Sequence, residues 1–387
     1  MLRDYSGFFK THKDTSFVNL NNGTLGLCPD SVIAQQKTEL DIFEKNTTWS
    51  LTHAWPRVLK IQERLAEFLN GHPDDFFLRP NVTLAMNEII MGMALPASSE
   101  ILTTSLEYGA IVNILKYKAQ RENLSLKVMP MDFAMQNPSD QDWVQAFEKS
   151  LTAKTKLVVI SHVYTSNGLT APIEELGRML REKNILMVVD GAHAPGLMDL
   201  SFKDLPHVDF YGGNLHKWTM GPKGTAFGWV HPKWHSITSP LYGSWTTDEQ
   251  TAKGYGYISP FTAKMLWSHS QSFSSYYGLE ACFDFWNEHG KQVIFEEIKK
   301  RMSYLESGLA KKGLRPVVSI KNQAGFLAYP LAAFKSLKFE ENIIVSPQGK
   351  LQVGLPKVPG VPLLRLTPHI HNTQSELDLA IAILNPV

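Results

Sequence analysis

Two spacings of apolar positions take turns along the chain. Short continuous runs at Glu100–Thr103, Lys156–Ser161, Ile185–Val189, Val208–Gly212 and Thr225–Val230 are bounded by polar or Gly-rich segments and read as strands buried on both faces. Between and before them lie stretches with helical spacing: Pro29 to about Glu44, Val58–Gly71, the residues following Thr83, and Pro172–Lys183. A strand that passes through a polar loop and a helix into another strand is a βαβ unit, so its repetition predicts an open sheet whose polar loops collect on one side. Ligands bind such sheets outside the carboxyl ends of the strands. Residues His231–Pro260 break the pattern, being rich in Gly, Ser, Thr and aromatics with no regular period, and irregular stretches of that length are usually functional or interfacial. From Ser275 onward two helical runs, short strands and a final helix predict a smaller α+β domain. The expected division is 1–265 for the large domain, with an N-terminal loop at about 17–29, and 266–387 for the small one.

Composition narrows the class. With 387 residues, 43% of them hydrophobic and 19% charged, the chain can bury a large core. A formal net charge of +1 without blocks of like charge argues against nucleic acid or an anionic membrane as partner. The N-terminus carries charge throughout and reads neither as signal peptide nor as anchor, and no apolar run reaches membrane-spanning length. Two cysteines, Cys28 and Cys282, form neither a disulfide framework nor a metal cluster, which fits a cytoplasmic setting and predicts no metal site.

The candidate chemistry sits between residues 190 and 224. Asp190 ends an apolar strand, and Lys217 follows the next one in the context Asn214, Leu215, His216, Lys217, Trp218, ahead of Gly221, Pro222, Lys223, Gly224. An acid and a lysine on adjacent strand ends suit pyridoxal 5'-phosphate, which needs an amine for covalent attachment and an anion beside its ring nitrogen. The stretch resembles fold-type I pyridoxal phosphate enzymes of the class V aminotransferase family, in particular the isopenicillin N epimerase-like branch with its HKW and PKG elements. The resemblance runs from LNNGTLG to the last helix and implies a large domain with a mainly parallel seven-stranded sheet.

Further assignments follow from that resemblance. It makes Lys217 the attachment point and general base, Asp190 the partner of the ring nitrogen, and Tyr108, in the EYGA tetrad at a strand-to-helix junction, the ring that stacks on the cofactor. Val82 and Thr83 are implied to hold the phosphate by backbone and hydroxyl; from the residues alone, Asn81–Thr83 is a helix cap. Asn214 and His216 are implied to lie near the phosphate, and His193 and Thr165 at the ring hydroxyl, with Ser166 or Asn167 as the donor if the loop is shifted. Asn22 in the N-terminal loop is implied to touch substrate, although Asn21 and Asn22 also suit a plain turn. Arg365, a cation within an apolar strand, should meet an anion, either a structural carboxylate or the substrate α-carboxylate that the family binds here. Trp267, Ser268, His269, Ser270 and Gln271 resemble the family's W-T-G-T-R, implying that Ser270 reaches the phosphate of a neighbouring subunit in a homodimer with shared active sites; His269 and Gln271 depart from that pattern.

Functionally the resemblance implies chemistry at the α-carbon of an amino acid, with epimerase or racemase the first expectation and carbon–sulfur β-lyase or aminotransferase the alternatives. A silent pyridoxal phosphate binder would need no carboxylate-gripping arginine. Cysteine desulfurase chemistry needs a mobile thiol, and the segment Lys291–Val387 contains none. The aromatic segments 49–57 and 242–261 are expected either to wall a roomy substrate pocket or to pack between elements and subunits.

Overall fold

The computed structural model describes residues 2–387 except 137, 255–258, 267–269, 320–323 and 359. Seven strands form the main sheet, in the order Phe76–Arg79, Ala226–Val230, Phe210–Asn214, Leu186–Asp190, Thr155–Ser161, Glu100–Thr104, Ser125–Met129. Only Ala226–Val230 runs against its neighbours, so the sheet is mainly parallel. The physical basis is visible in its side chains. Ile101, Leu157, Val159 and Val188 pack on one face, and Leu102, Val158, Ile160 and Val189 on the other, so each continuous apolar run feeds two cores. Helices Val82–Gly92 and Gly109–Glu122 cover the first face, while Ala54–Phe68, Ile173–Glu182 and Ser274–His289 contribute to the core of the second.

A third core lies under the C-terminal strands. There a three-stranded sheet is ordered Lys357–Val358, Val361–Leu366, Leu327–Pro330. A four-stranded sheet is ordered Val18–Asn19, Gly349–Gln352, Ile343–Ser346, Lys338–Glu340. The first strand of the chain therefore pairs with Leu351 and Gln352, which hands the N-terminal loop from the small sheet to the edge of the large one.

Observed elements lie within a few residues of the expected ones: Phe210–Asn214 for Val208–Gly212, and Asp30–Lys45 for the first helix. The difference is largest in 231–260, where the helix Glu249–Gly254 and a second helix beginning at Pro260 occupy sequence without a clean apolar period. Both are short, of six and seven residues, and too short for periodicity to declare them. No helix among the described residues is long and apolar enough to cross a membrane.

Candidate active site

The carboxyl ends of Glu100–Thr104, Thr155–Ser161, Leu186–Asp190 and Phe210–Asn214 open into one cavity of about 650 Å³. Chain order reverses between the Glu100 and Thr155 strands, which run side by side, and their loops diverge there to leave room for a ligand. The cavity wall contains Val82, Thr83, Tyr108, Thr165, Asp190, His193, Asn214, His216, Lys217 and Arg365. Two expected site residues are not in that wall. Asn22 is fully buried, with its Oδ1 taken by Leu27 N–H at 3.3 Å and by His371 Nε2 at 3.3 Å, and its neighbour Asn21 faces the cavity instead. Ser270 is exposed and outside the cavity, and Trp267, Ser268 and His269 lie outside the described residues.

Asp190 is held at its strand end by the N–H of Ala192, which donates to Oδ1 at 2.9 Å. Burial raises its carboxyl pKa, opposed by the Ala192 hydrogen bond and the Lys217 charge, so the site rewards a cationic partner for this acid. Lys217 faces His193, with Nζ 3.3 Å from Nε2. Burial pulls its pKa down to about 8, with Arg365 in the same direction and Asp190 opposing. Such an amine is partly neutral near physiological pH and ready to attack a carbonyl. In cofactor-free protein, the rate of covalent pyridoxal phosphate uptake is expected to rise about tenfold per pH unit up to about pH 8 and then level off, because only the unprotonated amine is nucleophilic. Rapid-mixing absorbance would check this, and a profile climbing steadily to pH 10 would contradict it.

The other conspicuous lysine is tied elsewhere. Lys223 Nζ donates to the Gly26 carbonyl and lies 3.3 Å from Cys28 Sγ, and it is not in the cavity wall. The N-terminal loop presses on the attachment loop so closely that a Cβ on Gly26 would stand 1.9 Å from the Lys217 carbonyl oxygen, which only glycine avoids.

At the end of the cavity expected to take the phosphate, the structure revises one assignment. Val82 N–H donates to Asn214 Oδ1 at 3.0 Å, so the Val82 amide is already occupied and Asn214 acts as a brace for the helix start. The Asn81 side chain caps Leu84 N–H at 2.9 Å. Among the described residues, the Thr83 hydroxyl remains without a partner in the chain, at the N-terminus of an eleven-residue helix. His216 adds a buried Nδ1 without a partner, and burial together with the Lys217 and Lys223 charges lowers its pKa to about 4.

Arg365 provides a second unmet demand. Nη1 donates to the Thr165 carbonyl at 2.6 Å and hydroxyl at 3.2 Å, and Nη2 to Asn21 Oδ1 and Thr24 Oγ1 at 3.0 Å each. All four acceptors are neutral, and Nε has no partner. Of the two expected anions, a structural carboxylate is absent among the described residues, which leaves this buried cation aimed into the cavity for an incoming one.

Of the three loop hydroxyl and amide candidates, Thr165 and Ser166 reach the cavity and Asn167 does not. His193 Nε2 lies 3.0 Å from Thr165 Oγ1. Tyr108 lies at the mouth with half its surface exposed, at the start of helix Gly109–Glu122. Sequence reasoning passed over its neighbour Glu107, whose carboxylate accepts from Thr104 Oγ1 at 2.7 Å and Ser161 Oγ at 2.6 Å. Burial raises its pKa to about 7. The available signal was a carboxylate at the same strand-to-helix junction that identified Tyr108.

Of the two expectations for the aromatic segments, the described residues favour packing, and Tyr255 and Tyr257 lie outside the described residues. No described residue of 49–57 or 242–261 lines the cavity: Trp49 stacks on His53, Trp55 packs edge-on against Phe273, and Trp245 is exposed. The outer wall is built instead by Asn342 and the run Val353, Gly354, Leu355, Pro356, Lys357. It comes there because Gly354 pairs with Arg365 across the small sheet.

An amine with a lowered pKa, a buried acid, a buried cation without a carboxylate partner among the described residues, a hydroxyl at a helix start and the orphaned His216 Nδ1 together fit pyridoxal phosphate and an amino-acid carboxylate. Comparison with known proteins points the same way. The family model described as Aminotransferase class-V matches residues 20–340. An isopenicillin N epimerase of Streptomyces clavuligerus is 26% identical over 376 residues, covering 94% of this chain and 93% of that protein. A probable chloroplastic L-cysteine desulfhydrase of Arabidopsis thaliana is 24% identical over 258 residues, covering 60% and 54% respectively. Among solved structures, a C-DES variant with glycine covalently linked to its pyridoxal phosphate superposes with a TM-score of 0.82 at 21% identity, covering 98% of each chain. The cystine C–S lyase C-DES with its product cysteine persulfide gives 0.80 at 21% identity, covering 98% of this chain and 100% of that one. These likenesses establish a fold-type I architecture.

Proposed function

The chain belongs to the class-V aminotransferase family with pyridoxal phosphate as its cofactor, and from that premise we propose that it acts at the α-carbon of an amino acid or amino-acid derivative, as an epimerase or racemase. The observation that carries this reading is the convergence of Lys217, Asp190 and Arg365 on one cavity whose wall contains no thiol. When bound, the cofactor supplies an electron sink that makes the α-proton of an attached amino acid acidic. Arg365 grips the α-carboxylate, Lys217 accepts the α-proton, and Asp190 keeps a proton on the ring nitrogen by charge. Thr83 and His216 would hold the phosphate, Asn214 braces the helix start that carries Thr83, and Tyr108 would face the ring. The outer wall of Val353, Leu355 and Pro356, flanked by Asn342 and Lys357, suits an extended side chain with a polar or anionic end.

The full-length likeness to isopenicillin N epimerase supports epimerisation. The alternative is a carbon–sulfur β-lyase, supported by the partial likeness to L-cysteine desulfhydrases. Cysteine desulfurase chemistry is disfavoured because both cysteines are buried away from the cavity: Cys28 donates to the Gly221 carbonyl at 3.1 Å and Cys282 to the Thr219 carbonyl at 3.2 Å. Burial raises both thiol pKa values, which keeps them as poor nucleophiles. The test is incubation with a panel of amino acids and cysteine conjugates in deuterated water. Deuterium at the α-carbon with loss of chirality supports the proposal, pyruvate with ammonia supports the lyase, and a keto acid with the aminated cofactor would make the protein an aminotransferase.

We also propose a homodimer with shared active sites. In the isolated chain Ser270 is exposed and the Tyr108 ring stands half uncovered at the cavity mouth, as expected of surfaces that a second copy completes. Sedimentation of the cofactor-loaded protein should give a dimer, and a fully loaded monomer would overturn it.

A further inference from the structure

The contacts around His193 carry a direction as well as a position. His193 is 2% exposed, and its Nδ1 receives a hydrogen bond from the indole N–H of Trp218 at 3.3 Å. An indole nitrogen can only donate, so Nδ1 must be the unprotonated nitrogen. In a neutral imidazole the proton then sits on Nε2, and burial beside the Lys217 and Arg365 charges holds this ring neutral by lowering its pKa well below the ordinary value. Nε2–H therefore donates, and its nearer neighbour is Thr165 Oγ1 at 3.0 Å, the Lys217 amine at 3.3 Å being able to accept from it only when unprotonated. The same oxygen also accepts from Arg365 Nη1 at 3.2 Å. A hydroxyl oxygen that accepts twice has one role left, to donate its own proton, and Thr165 borders the cavity.

We propose that Trp218 is a positioning residue: it fixes His193 as the Nε2–H tautomer and thereby orients a one-way chain, Trp218 to His193 to Thr165, that presents the Thr165 hydroxyl proton to the cavity. The acceptor it suits is an oxygen carrying negative charge, such as the ring hydroxyl of the cofactor in its ionised form. With the tautomer reversed, Nε2 would be an acceptor, the Thr165 proton would turn back to it, and the cavity would lose its donor. Trp218 is itself held rigidly. It is fully buried, its carbonyl accepts from His369 Nε2 at 3.0 Å, and its ring packs against Phe326 at 5.5 Å and His369 at 5.6 Å. The His369 bond is also directed, since His369 Nδ1 accepts from Ile370 N–H at 2.9 Å and leaves Nε2 to donate.

The test reads the tautomer directly. Full-length protein loaded with pyridoxal phosphate is labelled with nitrogen-15 in its histidines, and His193 is assigned by the signals lost in His193→Gln. The wild-type spectrum should show His193 with a protonated Nε2 and a bare Nδ1; a protonated Nδ1, or protons on both nitrogens, overturns the proposal whether or not any variant folds. In Trp218→Phe the single tautomer should give way to a mixture, and the affinity for pyridoxal phosphate should fall about two- to tenfold, the effect of one hydrogen bond. A variant that folds with an unchanged His193 spectrum would reduce Trp218 to a packing residue.

Discussion

Lys217→Ala is expected to yield a folded protein that binds pyridoxal phosphate only loosely and turns over its substrate at least about a thousandfold more slowly, since a positioned general base alone contributes about 10²–10⁴-fold. Two functions are removed together, the attachment amine and the proton acceptor. The fold should tolerate the loss, because among the described residues the Lys217 amine makes one long contact, to His193 at 3.3 Å. Borohydride reduction and peptide mapping check the assignment: in the wild type the cofactor should mark Lys217, and in the variant no lysine. A tag on Lys223 would contradict the geometry, since that amine is committed to the Gly26 carbonyl and Cys28. Partial recovery of turnover by added methylamine would identify the missing group as a base and separate this reading from simple damage to the site.

Arg365→Leu is the second large effect, and it should separate catalysis from stability. Removing one member of a buried charge pair costs about 2–5 kcal/mol, so kcat/KM is expected to drop about thirty- to several-thousandfold, mainly through KM. The wild type should prefer an amino acid over its α-amide, and the variant should lose that preference. Thermal stability should change little or rise. In the free protein the guanidinium is buried with only neutral acceptors, an orphaned Nε, and a pKa drawn down by burial to about 10. Folding therefore carries the cost of an uncompensated cation, which leucine removes. A large fall in melting temperature with unchanged substrate preference would make Arg365 structural.

Glu107 and Lys357 show where function depends on more than motif. Glu107 is adjacent in sequence to Tyr108, yet its carboxylate turns inward onto Thr104 and Ser161 while the Tyr108 ring turns outward. Lys357 lies in a short strand of the small sheet and reaches the cavity because residues 354–357 run alongside the strand that carries Arg365.

Several features follow from the chain alone. Strands of five to seven residues built on continuous apolar runs are satisfied by burial on both faces, and the helical runs between them force parallel neighbours, so the sheet and its ligand edge are legible in the sequence. Asp190 and Lys217 were legible for the same reason: each stands where an apolar strand gives way to a polar loop. What tertiary structure decided are relations between residues distant in sequence. The Val82 amide is occupied because Asn214, 132 positions away, reaches it. Asn21 and not Asn22 faces the cavity because Arg365 draws the Asn21 side chain toward it while Asn22 is used up inside the loop. Among the described residues the outer pocket wall comes from 342 and 353–357 rather than from the aromatic segments, because aromatic side chains find burial against whichever neighbours are near, and composition does not say which. Periodicity is a local property that reports which way a side chain faces its own element; a hydrogen-bond partner is set by where two elements are packed, and that is absent from any single stretch of sequence.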